Sequence, residues 1–208
     1  MATSTAPFPL TFDVEYPPQR DRVAVLLRLF MLIPIVALLA LLDPGSLVSD
    51  ADDGSSGLAL AGGVVFAPLV LMLLFRQKYP RWWYDWNLQL SRFASRVGAY
   101  ALLLRDEYPS TDEEQAVHLD FAYPDAAQLN RWLPLVKWLL AIPHFIVLFV
   151  LFVAVVLVTF VSWIAILVTG THPRGLFDFV VGVGRWALRV QAYAILLVTD
   201  RYPPFSLK

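Results

Sequence analysis

Apolar residues in this chain fall into runs of membrane-spanning length, separated by short polar stretches. Val23 to Leu42 and Leu58 to Phe75 each come close to the roughly 20 helical residues that cross a hydrocarbon core of about 30 Å. Residues 43–57 between them are rich in Asp, Gly and Ser and predict a loop. Leu133 to Val168 is apolar almost without interruption. As one helix it would reach about 54 Å, too long for a single crossing. The pattern therefore predicts a tight hairpin over about 133–168, turning near 150–154. The competing reading is an interfacial half-helix up to Pro143 followed by one long tilted span.

Two further stretches carry a stripe rather than a run. Over 81–104, Trp82, Trp83, Trp86, Leu90, Phe93, Val97, Tyr100 and Leu104 recur at three- and four-residue steps, opposite Asp85, Gln89, Arg92 and Arg96. Over 174–197 the stripe is Phe177, Val181, Trp186, Val190, Tyr193 and Leu197, opposite Asp178, Arg185 and Arg189. An Arg-bearing face opposite an aromatic one suits a helix lying in the inner-leaflet interface. The alternative is a helix packed beneath the transmembrane bundle, its arginines solvated or paired with Asp85 and Asp178.

The order of these signals occurs twice, which predicts one unit used twice. Asp13-Val14-Glu15-Tyr16-Pro17 matches Asp120-Phe121-Ala122-Tyr123-Pro124, and Ile33-Pro34 matches Ile142-Pro143. Pro80-Arg81 matches Pro173-Arg174, and Arg92, Arg96 and Tyr100 match Arg185, Arg189 and Tyr193. The spacing between matched positions falls from 109 residues at Pro34/Pro143 to 93 at Pro80/Pro173, as if the second unit lacked the first unit's loop. The expected fold is an all-α integral membrane protein of two parallel repeats, residues 1–112 and 113–208. Each repeat is a transmembrane helical hairpin plus an interfacial amphipathic helix.

Composition agrees with a membrane setting: 58% of residues are hydrophobic, well above the roughly 45–50% of soluble domains. A net charge of −1 offers no field for nucleic acid. With no cysteine there is no disulfide, thiol catalyst or Cys-based metal site. Residues 1–19 are polar and Pro-rich and do not read as a signal peptide. The loop 43–57 holds Asp43, Asp50, Asp52 and Asp53 but none of the sixteen Lys and Arg. By the positive-inside rule it lies outside, with both termini cytoplasmic in a multi-pass plasma-membrane protein.

Candidate site residues are those present in both units. Asp85 with Arg92 and Asp178 with Arg185 lie seven residues apart on one helix face. Arg22 and Arg131 precede the Ile-Pro proline by twelve residues, with Arg28 and Lys137 further in. Together with Arg96 and Arg189 they could form headgroup sites or ion pairs, long cations snorkelling to the interface. Trp82, Trp83, Trp86, Tyr100, Trp186 and Tyr193 are candidate interfacial aromatics. Tyr-Pro pairs mark helix boundaries. His144 has no counterpart in the first unit, and a Ser–His pair with Ser162 would require the two to face each other on separate spans. Gly182-x-Gly184 reads as a close-packing feature. No catalytic motif, metal site or cofactor motif stands out.

The string Arg131-Trp-Leu-Pro-Leu-Val-Lys-Trp-Leu-Leu-Ala-Ile-Pro-His144, then His172-Pro-Arg-Gly-Leu-Phe-Asp-Phe179 and Thr199-Asp-Arg-Tyr-Pro-Pro-Phe205, resembles a bacterial membrane family called domain of unknown function 4389. The resemblance covers residues 117–207, with residues before it a diverged copy. It implies a bacterial membrane protein and carries no established reaction. The expectation is a non-enzymatic accessory or scaffolding subunit that contacts anionic lipid and other membrane subunits. The alternatives are a lipid or solute transporter or channel component, and a membrane-embedded enzyme.

Overall fold

The computed structural model describes residues 8–42, 69–111 and 113–208. The acidic loop 43–57 and most of the apolar segment 58–75 therefore lie outside the described residues. In chain order the elements are β1 (Leu10–Val14), α1 (Arg22–Leu42), a π-helical turn (Met72–Arg76), α2 (Arg81–Ala101), β2 (Val117–Phe121), α3 (Leu133–Leu140), α4 (Ile142–Thr169) and α5 (Arg174–Ala194).

The expected hairpin does not form. α4 is one helix of 28 residues running straight through 150–154. The cause is compositional: residues 144–169 contain no Gly, Pro, Asn or Asp that could reverse the chain. Gly170, at φ +74°, stops the helix where a side chain would be strained. Pro143 sits in the first turn of α4, a position that tolerates proline, so it does not break a span interior. Among the described residues, one helical stretch, Leu133–Thr169, is long and apolar enough to cross a membrane. The even count of spans in the second half, and the placement of the C-terminus that rested on it, lose their basis.

Nor is the fold purely helical. β1 and β2 pair antiparallel, Leu10 with Phe121, Phe12 with Leu119 at the centre, and Val14 with Val117. Both strands alternate strictly, burying Leu10, Phe12 and Val14, and Val117, Leu119 and Phe121, while Thr11, Asp13, His118 and Asp120 face outward. Period-two alternation puts one face of each strand on the core.

That sheet covers α2 and α5, with β2 on α2 and β1 on α5. Each helix begins just after an extended proline, Pro80 or Pro173, which cannot continue a helix backwards. On their far sides α2 packs against α1, through Ile35 on Phe93, Val97 and Tyr100, while α5 runs back along α4. Each amphipathic helix thus has one side on the sheet and another on an apolar helix, with its first turns still exposed. The C-terminal tail then folds back over α5. A Cβ on Gly182 would meet the Leu207 carbonyl oxygen at 2.8 Å. We expect Gly182→Ala to lift the tail and lower stability by about 1–3 kcal/mol, the range for overpacking. A thermal melt in mild detergent measures this; an unchanged melting temperature would show that the tail yields at no cost.

Candidate functional site

Arg28 and Lys137 are buried and Arg92, Arg96, Arg185 and Arg189 half-buried, and these cations form two kinds of site. The first kind lies at the helix ends. Arg28 on α1 is 2% exposed; its Nη1 donates to the Tyr100 carbonyl at 2.9 Å, and its Nη2 lies 2.5 Å from Asp106 Oδ1. Its guanidinium stacks 4.4 Å from the Tyr100 ring centre. Lys137 on α3 is fully buried; its Nζ donates to the Thr199 carbonyl at 2.8 Å, meets Asp200 Oδ1 at 2.7 Å and stands 5.2 Å from the Tyr193 ring. A buried charge survives in such a place only when paired and hydrogen-bonded. Both lysine and arginine meet that condition with the same three partners: a carbonyl, an Asp and a Tyr face.

Arg20 joins the first cluster, its Nη2 donating to the Leu103 carbonyl at 2.5 Å and its Nη1 lying 3.0 Å from the same Asp106 oxygen. Burial lowers its affinity for the proton, and Asp106 opposes that shift. His172 nearby is buried too, which pushes its imidazole below the ordinary histidine range. Arg22 is exposed and donates to the Val168 carbonyl at 3.2 Å, while Arg131 donates to Gln77 Oε1 at 2.7 Å.

The second kind of site lies along the sheet edges. Backbone bonds from Glu15 N to the Ala116 carbonyl and from Ala122 N to the Pro9 carbonyl set the alternation of the ladder. They make Phe12–Leu119 a non-hydrogen-bonded pair, whose carbonyls point away from the partner strand. Arg92 Nε donates to the Leu119 carbonyl at 2.9 Å, and Arg185 Nε to the Phe12 carbonyl at 3.0 Å. Each arginine then reaches the next residue's carboxylate, Asp120 at 3.2 Å or Asp13 at 3.7 Å. The Tyr84 hydroxyl donates to the Phe121 carbonyl. These side chains occupy the edge positions at which a further strand would pair. Arg96 and Arg189 fix the tails that follow α2 and α5, through the Ser110 carbonyl at 2.7 Å and the Ser206 carbonyl at 3.3 Å.

The expected Asp85–Arg92 and Asp178–Arg185 pairs are corrected by this geometry. Seven residues of helix separate the partners by about 10.5 Å along the axis, too far for contact, and the arginines face the strands. Asp85 and Asp178 are exposed. Of the candidate interfacial aromatics, Trp82 and Trp86 are exposed and Trp83 is half-buried. Tyr100, Trp186 and Tyr193 are core residues instead. Trp186 donates its indole N–H to His144 Nδ1 at 3.1 Å, and the imidazole stacks on Phe205 at 4.0 Å. Ser162 and His144 stand 18 residues apart on one helix, about 27 Å, so they form no catalytic pair.

The residues that sequence reasoning missed are the acceptors: Asp106, Asp200, Asp13 and Asp120. A signal existed, since Asp106 and Asp200 each stand two residues before a Tyr-Pro pair, and Asp13 and Asp120 each stand three before one.

Among the described residues the architecture is mostly helical, with one long apolar helix able to cross a membrane and a small sheet closing the opposite side of α2 and α5. Residues 132–206 match the family model described as domain of unknown function (DUF4389). The match spans one domain and does not extend to the first half of the chain. No curated protein and no solved structure matches the chain.

Proposed function

We propose that this chain is a non-enzymatic accessory protein of the bacterial plasma membrane, built of two like units, that joins other subunits of a larger membrane complex and contacts anionic lipid. The observation that carries the reading is the outer face of α4. Phe149, Phe152, Leu157 and Phe160 are each more than 60% exposed on it, an apolar surface far too continuous for water. With Arg28, Lys137, Arg92 and Arg185 engaged in internal contacts, this apolar face is the surface turned to a neighbouring subunit.

Paired contacts support the two-unit reading. Arg92 binds Leu119 and Asp120 of the other half as Arg185 binds Phe12 and Asp13. The Tyr123 hydroxyl donates to the Tyr79 carbonyl and the Tyr16 hydroxyl to the His172 carbonyl. Arg81 stacks on Tyr123 and Arg174 on Tyr16. Leu103 and Leu197 take the same left-handed backbone after α2 and α5. Phe12 and Leu119, matched one position before the Asp of the repeated motif, pair with each other at the sheet centre. A two-fold relation between halves requires such a self-equivalent pair, as at the centre of an isologous interface.

A photo-crosslinking side chain at Phe152 or Leu157, followed by native mass spectrometry of gently solubilised membranes, tests the function. A stoichiometric adduct with one defined membrane subunit is expected. A lone chain carrying lipid adducts only would overturn the accessory-subunit reading.

A further inference from the structure

Between the start of α1, the end of α2 and the middle of α4 runs an apolar groove of about 400 Å³. Its walls include Leu26, Leu32, Leu103, Val156, Phe160 and Trp163. Two polar groups border it without a hydrogen-bond partner, Arg28 Nε and Thr159 Oγ1, both out of contact with solvent.

The charges at the α1 end of this groove do not balance. Arg20 and Arg28 both converge on one oxygen of Asp106, and Arg22 lies one residue beyond Asp21. Two guanidinium groups thus share one carboxylate oxygen, and Arg22 makes no ion pair among the described residues, while neighbouring Arg105 is matched by Glu107. One positive charge remains next to an apolar slot on the flank of the helix best able to cross a membrane. Water suits the charge and not the slot; a neutral hydrocarbon suits the slot and not the charge.

We propose that the groove holds one acyl chain of an anionic phospholipid, with its phosphate drawn to the Arg20, Arg22 and Arg28 end. Basic pockets between membrane helices recognise anionic headgroups in this way. The proposal rests on the membrane-seated reading above, and it names one site and one ligand class within it.

The purified full chain, delipidated in mild detergent, is titrated with phosphatidylglycerol and separately with phosphatidylcholine, with bound lipid counted by native mass spectrometry. One phosphatidylglycerol per chain should be retained about tenfold more tightly than phosphatidylcholine. Leu32→Trp and Val156→Trp, which fill the slot, should each cut its occupancy about tenfold at an unchanged melting temperature. Arg22→Gln, at an exposed position where the amide can still donate, should weaken phosphatidylglycerol about fivefold, the effect of roughly 1 kcal/mol per cation near a headgroup, and leave phosphatidylcholine alone. Equal retention of the two lipids, or full retention in folded Trp variants, would overturn the site. Selective retention by a chain that captures no partner subunit would leave the site standing and remove the accessory-subunit reading.

Discussion

Lys137→Ala should lower the unfolding free energy by about 3–5 kcal/mol, the cost of breaking a buried ion pair from one side. The ammonium is 1% exposed, and its removal strands both the Thr199 carbonyl and the Asp200 carboxylate. Asp200 cannot simply turn to water, since it is only 24% exposed and its other oxygen holds the Asn130 amide at 2.6 Å. Lys137→Met combined with Asp200→Asn should recover most of the loss, because an apolar side chain of similar length needs no counter-ion. Arg28→Met makes the informative contrast. Asp106 keeps Arg20 at 3.0 Å when Arg28 is gone, so no carboxylate is orphaned and the loss should be smaller. Melting temperatures of the three variants and the parent chain in one detergent decide the matter. Equal losses for Lys137→Ala and Arg28→Met would mean that lost packing, rather than the orphaned charge, sets the cost.

How much of this was readable beforehand depended on the range of the interaction that decides each element. The amphipathic helices α2 and α5 were legible because a helical stripe is set by residues three and four apart, and their start at Pro80 and Pro173 follows from the same local chemistry. The strands were written equally plainly, as Leu10-Thr11-Phe12-Asp13-Val14 and Val117-His118-Leu119-Asp120-Phe121. A five-residue alternation beside Tyr-Pro punctuation looks like a helix boundary until a partner strand is known, and that partner lies over 100 residues away. The length limit on a membrane span suggested a turn in 133–168, but a turn needs residues that can make one, and none is there. The arginine faces were legible in the sequence, and the strands they meet were not. Helical periodicity tells which side of α2 holds Arg92 and Arg96, while only the tertiary fold tells that β2, some 27 residues past Arg92, turns back to cover that side.

The strand pairing itself can be caught covalently. Val14→Cys with Val117→Cys should form a disulfide on mild oxidation, and the chain's lack of any native cysteine gives a clean background. Val14 and Val117 are Cα partners, and the ladder's hydrogen-bond alternation puts them in a non-hydrogen-bonded position. Cα atoms there lie about 4.5 Å apart, within the 4.4–6.8 Å that a disulfide spans. The bond would close a loop of about 100 residues, for which chain entropy predicts up to about 4.7 kcal/mol and engineered examples deliver about 2–4. A melting temperature higher when oxidised than when reduced is the expected result. Val14→Cys with Leu119→Cys is the register control, since that diagonal places the sulfurs on positions roughly 7–8 Å apart and should link poorly. Strong linkage of the diagonal pair with none of the direct pair would move the register by two residues. Phe12 and Leu119 would then no longer face each other, Arg92 and Arg185 would lose their matching carbonyls, and the two-unit reading would go with them.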